Sequence, residues 1–146
     1  MATSHIAHDC IIGNNCIVVN GCLLAGHVEM GDWSIIGGLC AIQQFTKIGT
    51  HAFIGGGSLV RKDVPPYVKA AKEPLSYSGI NSVGLRRRGF ENEKINEIQN
   101  IYRILFQKNY NVTQAVDVIE TEMPASSERD EIVQFIRSSK HGIMKG

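Results

Sequence analysis

From Ile6 onward an aliphatic residue recurs at every sixth position: Ile6, Ile12, Val18, Leu24, Met30, Ile36, Ile42, Ile48, Ile54 and Val60. Four positions after each of these stands a small or β-branched residue: Cys10, Cys16, Cys22, Val28, Ser34, Cys40, Thr46, Ala52, Ser58 and Val64. Glycine fills the second place in five of these ten hexads. A period of six fits neither an amphipathic helix nor simple strand alternation. It fits a chain that turns a corner every six residues, so that three short strands make one triangular coil of about 18 residues and coils stack as parallel strands. On this reading first-position side chains fill the interior, fifth-position residues fit where the chain bends, and second-position glycine supplies unusual backbone angles at corners. Third- and fourth-position side chains point outward. At about 4.8 Å per coil, the ten hexads give a prism roughly 16 Å tall.

The pattern changes at Pro65-Pro66, which is expected to end the repeat. A loop rich in Gly, Ser and Pro runs from there to Gly89. Helical spacing follows, with Ile95, Ile98, Ile101, Tyr102 and Leu105 on one stripe of a helix over 92–107. Asn111-Val112-Thr113 offers a cap for a second helix at about 113–122, with Val116 and Ile119 inward. Ser127 and Asp130 read as a capping box for a third at about 128–138, burying Ile132, Phe135 and Ile136. The chain therefore divides into a β-helix over 1–66, a loop with a basic segment over 67–90 and a helical region over 91–146 that covers the lower end of the prism. No capping segment precedes the first hexad, so the chain is expected to be a fragment of a longer solenoid, the alternative being a bare sheet edge.

Composition adds exclusions. The 146 residues carry 15 basic and 14 acidic side chains, a net charge of +1 that gives no bulk attraction to nucleic acid. No apolar run approaches the roughly 18 residues that span a bilayer, and the expected location is cytoplasmic. The four cysteines all stand at fifth positions, where inert buried thiols belong; a Cys22–Cys40 disulfide is not expected in a reducing compartment.

Candidate chemistry gathers at two places. His8 is a third-position residue with Asp9 beside it, and an exposed imidazole next to a carboxylate is oriented and made a better base. His27 lies one coil and one residue further on, so both line one groove. Zinc held by histidines of adjacent faces is the alternative there, weakened because Gln43 and Gln44 stand where a third imidazole is needed. The second place is Arg86-Arg87-Arg88, guanidinium groups suited to bidentate phosphate binding, with Asn81 upstream as a reader of base or sugar.

Taken together, HIAHDC from His5, LAGHV from Leu24, IIGG from Ile35, QQF from Gln43, DVPPYV from Asp63 and NSVGLRRRGF from Asn81 resemble the C-terminal half of the bacterial acyl-ACP–UDP-N-acetylglucosamine O-acyltransferases, which perform the first acylation of lipid A synthesis. The resemblance covers nearly the whole chain. It implies a left-handed parallel β-helix of about three coils followed by three helices, assembled as a homotrimer with sites between subunits. It also implies that His8 is the general base toward the sugar 3-hydroxyl, that Asp9 orients His8, and that the Gly26 N–H stabilises the oxyanion. By the same resemblance His5, His27 and Gln44 line substrate, Asn81, Arg87 and Arg88 approach the UDP moiety, and Gly56 lies at the floor of the acyl chain. The acyl donor is a thioester of acyl carrier protein, so neither metal nor other cofactor is required. Lys69, Lys72 and the arginine run are candidates to meet that acidic partner. Three departures stand out: Gln43 and Pro74 replace histidines common in the family, and Val83 replaces a glutamate. A non-catalytic trimerising or binding remnant and a hexapeptide-class zinc enzyme are the alternatives.

Overall fold

The aliphatic first positions wind the chain into a triangular prism. A computed structural model describes residues 1–146. Ten two-residue strands, separated by four-residue corners, run in chain order: β1 (His5–Ile6), β2 (Ile11–Ile12), β3 (Ile17–Val18), β4 (Leu23–Leu24), β5 (Glu29–Met30), β6 (Ile35–Ile36), β7 (Ala41–Ile42), β8 (Lys47–Ile48), β9 (Phe53–Ile54) and β10 (Leu59–Val60). Every third strand pairs in parallel, giving one face of β1-β4-β7-β10, a second of β2-β5-β8 and a third built on β3-β6-β9. Ile6 pairs with Leu24 and Leu24 with Ile42, the eighteen-residue register of one coil. Leu24, Met30, Ile36, Ile42, Ile48, Ile54 and Val60 are at most 2% exposed, each contributing about 1.5–3 kcal/mol by burial. Ile6 and Ile12 stay exposed, because they belong to the first coil and no coil of this chain packs beyond it.

Fifth-position thiols are buried as expected at Cys22 and Cys40 but only half-buried at Cys10 and Cys16, in the first coil, and all four add one interaction. Cys10, Cys16, Cys22 and Cys40 are unpaired, and each Sγ donates to a second-position carbonyl of the next coil, at Ala25, Gly31, Gly37 and Gly55, over 3.0–3.2 Å.

The glycines work differently from expectation. The left-handed backbone sits at the fourth position of the hexads, at Asp9, Asn15, Gly21, His27, Trp33, Leu39, Phe45, His51 and Gly57, with φ between 57° and 75°. Seven of these amides, from Gly21 to Gly57, reach back to a carbonyl of the preceding coil, for example His27 N–H to His8 and Phe45 N–H to Gly26. Second-position glycines have no positive φ. All but Gly55 are required by closeness: a Cβ on Gly37 would lie 2.6 Å from the Gly56 nitrogen and one on Gly49 2.4 Å from that of Pro66.

The winding continues past the prolines, in one shortened coil. Val64 bridges Ile48, and β11 (Val68–Ala71) joins the third face with Ala70 opposite Ile54, two residues short of the regular register. Pro65 and Pro66 are tolerated because the chain winds no further coil below whose carbonyls their amides would have to reach. β12 (Ser76–Ile80) then folds back antiparallel on β11. The segment expected as a loop is therefore a hairpin followed by a short helix, α1 (Ser82–Arg87), capped by the Asn81 side chain. This makes four helices rather than three.

The other three match the apolar spacing: α2 (Asn92–Gln107), α3 (Val112–Glu122), with a full Asn111–Gln114 capping box, and α4 (Ser127–Ser138). The α4 cap is Ser126, one residue ahead of the expected one, and Val133 is buried while Phe135 is only half-buried. The helices cover the base of the prism. The Tyr102 hydroxyl donates to the Pro66 carbonyl, and Glu131 accepts from the hydroxyls of Thr50 and Tyr67. Buried Asp63 accepts from the Lys47 amide at 2.9 Å and the Ser139 hydroxyl at 2.6 Å. No helix is long and apolar enough to cross a membrane.

Candidate active site

Each corner of the prism stacks its third- and fourth-position residues in columns. Along the edge between the first and second faces, the third-position column is His8, Gly26, Gln44 and the fourth is Asp9, His27, Phe45. His8 Nδ1 lies 3.1 Å from Asp9 Oδ2, and both side chains are about two-thirds exposed. An ionised carboxylate there fixes the Nδ1–H tautomer and leaves Nε2 as the available base. His27 stands edge-on to His8 at 5.2 Å, with its Nε2 3.7 Å from Asp9, and stacks on Phe45 at 4.7 Å. A groove of about 290 Å³ continues from Asp9 and His27 down the second face to Lys140 and His141.

Gly26 lies directly beneath the imidazole. A Cβ there would sit 2.7 Å from His8 Cε1 and 2.8 Å from Nε2, so any larger residue would make the exposed ring leave this position over the backbone. The Gly26 N–H donates to no protein acceptor, which leaves it available beside the base. Gln44 is exposed below it, and His5 is exposed on β1. Ligand atoms of His8, Asp9 and His27 lie within 4.8 Å of one another, so this cluster, two imidazoles and a carboxylate, is where a divalent ion would find donors.

Asn81, Arg87 and Arg88 are brought together elsewhere. They line a cleft of about 260 Å³ with Ile35, Phe53 and Lys69, beside the edge between the second and third faces. Lys69, a candidate for the acyl carrier protein, thus shares the cleft of the arginines. Arg86 turns away, its Nε 3.2 Å from Asn92 Oδ1. The Arg88 guanidinium lies over the Trp33 ring at 5.2 Å and within 3.1 Å of His51 Nδ1. Burial, then the charge of Arg88, lowers the His51 pKa to about 4.

Gly56 is on the third edge, exposed, with Gly38 above it. The three groups of residues singled out from the sequence therefore occupy three different edges, and a single chain does not bring them to one point.

A family model described as UDP N-acetylglucosamine O-acyltransferase, domain 2, matches residues 63–144, more than half of the chain. The chain belongs to this family. Among curated relatives, the acyl-[acyl-carrier-protein]–UDP-N-acetylglucosamine O-acyltransferase of Thiobacillus denitrificans is 38% identical over 99% of this chain and 56% of its own length. Among solved structures, the UDP-N-acetylglucosamine acyltransferase of Bacteroides fragilis superposes with a TM-score of 0.96 at 47% identity, covering 97% of this chain and 56% of that one. The Francisella novicida enzyme gives 0.95 at 36%, covering 100% and 54%. The UDP-N-acetylglucosamine O-acyltransferase fold is thus established here as a left-handed parallel β-helix with a helical C-terminus, and the chain spans about half the length of the relatives it matches.

Four neighbours of the site were missed in the sequence: Phe45 under His27, and Trp33, His51 and Tyr67 around Arg88. Their signal was present, since all are fourth-position residues eighteen, or across the shortened coil sixteen, apart.

Proposed function

We propose that this family member carries the catalytic base and the nucleotide-contacting segment of an enzyme that moves a 3-hydroxyacyl chain from acyl carrier protein to the 3-hydroxyl of UDP-N-acetylglucosamine, the first step of lipid A synthesis. The observation that carries the proposal is the exposed His8 imidazole, oriented by Asp9 and seated over a glycine with an unpaired N–H. His8 Nε2 takes the proton of the sugar hydroxyl as its oxygen attacks the thioester carbonyl. The Gly26 N–H stabilises the developing oxyanion. Collapse expels the thiolate, which recovers the proton from the imidazolium. A thioester is already activated, so general base catalysis of about 10²–10⁴-fold together with positioning suffices.

His27, His5 and Gln44 line the sugar side, Asn81, Arg87 and Arg88 meet the UDP moiety, and Gly56 borders the acyl chain. Because these groups lie on different edges of one prism, the working form is a homotrimer that sets one chain's base edge against a neighbour's nucleotide edge. The exposed Leu23 and Leu59 of the first face, which borders the base edge, supply apolar surface for that contact. The test is acyl transfer from 3-hydroxyacyl carrier protein to UDP-N-acetylglucosamine, by the chain alone and by a chimera in which it replaces the matching half of the Bacteroides fragilis relative. His8→Ala is expected to lower kcat by about 10²–10⁴-fold; equal rates for the two chimeras would remove His8 from the chemistry.

A further inference from the structure

Trp33, His51 and Tyr67 form a ladder along the edge between the second and third faces. Their rings are nearly parallel, with centroids 6.4 Å apart for Trp33–His51 and 5.6 Å for His51–Tyr67. Left-handed φ values of 64°, 57° and 71° aim the three side chains outward in register. Phe90 closes the stack edge-on, 5.1 Å from His51 and 6.0 Å from Tyr67, and Glu131 holds the Tyr67 hydroxyl at 2.6 Å. The ring of His51 therefore has little freedom.

Two hydrogen bonds leave this fixed residue for the cleft. Its Nδ1 faces Arg88 Nη1 at 3.1 Å, and its backbone carbonyl accepts from Asn81 Nδ2 at 3.0 Å. A guanidinium donates only, so His51 is the acceptor; its depressed pKa keeps the ring neutral and the lone pair available near pH 7. Trp33 supports the flat face of the same guanidinium at 5.2 Å. Two of the three polar groups expected to meet a nucleotide are thus tied to one residue outside the cleft lining, Arg88 to its imidazole and Asn81 to its backbone carbonyl.

We propose that His51, clamped between Trp33 and Tyr67, is a positioning residue whose imidazole sets Arg88, beside an Asn81 held by the His51 backbone carbonyl, in the geometry that receives a nucleoside diphosphate. The proposal rests on the functional reading above. With one nitrogen on His51 and one face on Trp33, Arg88 is held before the ligand arrives, so its remaining N–H donors meet a phosphate without first being ordered.

Trp33 is the sole tryptophan, so its fluorescence reports on Arg88 directly. Binding of UDP-N-acetylglucosamine to the 146-residue chain is followed by Trp33 emission and by calorimetry. Quenching by iodide relative to neutral acrylamide measures, without ligand, whether a cation sits over the indole. His51→Phe keeps the stack and removes the acceptor; His51→Gln keeps an acceptor. His51→Asn, which tolerates the left-handed backbone but is too short to reach Arg88, is a second variant without the bond. The expected result is that His51→Phe and His51→Asn weaken binding about ten-fold, while His51→Gln stays within about three-fold of wild type. The iodide preference falls in the first two to the level of Arg88→Gln and persists in His51→Gln. Wild-type affinity or wild-type iodide preference in His51→Phe and His51→Asn overturns the proposal. A wild-type chain that shows the iodide pattern but binds no UDP-N-acetylglucosamine supports the placement of Arg88 and overturns the nucleotide reading instead.

Discussion

Replacing Gly37 by alanine separates two explanations for the glycine at the second hexad position. If the residue were there for its backbone angle, alanine would cost no more than ordinary dihedral strain. The coordinates give another reason. An added Cβ meets the Gly56 nitrogen at 2.6 Å, the Ile54 carbonyl oxygen at 2.8 Å and Gly56 Cα at 2.9 Å. All three are backbone atoms of the next coil, so no side chain can rotate away, and the nearest is about 0.8 Å inside ordinary contact. Relief requires parting two coils joined by Gly37 N–H to Ile54 and Gly57 N–H to Gly38, both at 2.8 Å. Overpacking of this kind costs about 3 kcal/mol, or about 10 °C in Tm for a chain of this size. Gly57 is the control: its φ is +75° and nothing lies within 4 Å of its Cβ position. Gly57→Ala therefore pays only the left-handed penalty of about 1 kcal/mol. Thermal and urea unfolding, at one fixed protein concentration, give both values. A Gly37→Ala chain as stable as Gly57→Ala, or more so, would refute the steric explanation.

Other outcomes follow from the same coordinates. Glu131→Ala leaves the hydroxyls of Thr50 and Tyr67 without their acceptor and is expected to destabilise by about 2–3 kcal/mol, with a Glu131/Tyr67 double-mutant cycle showing non-additivity in urea melts. His51 is neutral in the folded chain down to about pH 4 against 6.5 unfolded, so its contribution is intact above pH 6.5 and is lost as pH falls from there toward 4. Discounted for its partial exposure, that loss is about 1–2 kcal/mol, and His51→Gln should flatten the stability–pH curve by that amount. Cys10 and Cys16 are half-buried whereas Cys22 and Cys40 are buried, and burial raises the Cys40 pKa. A thiol reagent should thus label two cysteines of the native chain and four after denaturation.

What the sequence revealed of this fold depended on how local each feature is. The period of six depends only on which side chains face inward, so Ile6 to Val60 announced the coils, and the stripe from Ile95 to Leu105 announced α2. The corner backbone was not legible, because the left-handed position accepts Asp9, His27, Trp33, Leu39 and Phe45 alike, and from Gly21 onward it is tied by hydrogen bonds to the preceding coil rather than marked by residue type. The glycines drew attention instead, although their cause is contact with a segment eighteen residues away. Pro65-Pro66 looked like a terminus, since whether a proline breaks a sheet depends on whether its amide would have had a partner, which only the stacked coils reveal. The His8–Asp9 pair was legible because its members are adjacent in sequence. The Trp33–His51–Tyr67 ladder was legible only in part: Trp33 and His51 keep the eighteen-residue spacing, but the shortened coil moves Tyr67 off it, and Arg88, which gives the ladder meaning, arrives from the C-cap of α1.

Co-assembly of two disabled chains tests most directly the claim that the base and the nucleotide cleft work only across a subunit boundary. His8→Ala and Arg88→Gln chimeras, each expected to be deficient alone, are mixed in equal amounts, unfolded, refolded together and assayed for acyl transfer. Random trimers place an intact base edge against an intact nucleotide edge at about one boundary in four. Recovery to about a quarter of the unmutated rate is expected; a mixture no more active than its separate components would contradict a shared site and mean that each chain carries a complete site of its own or none.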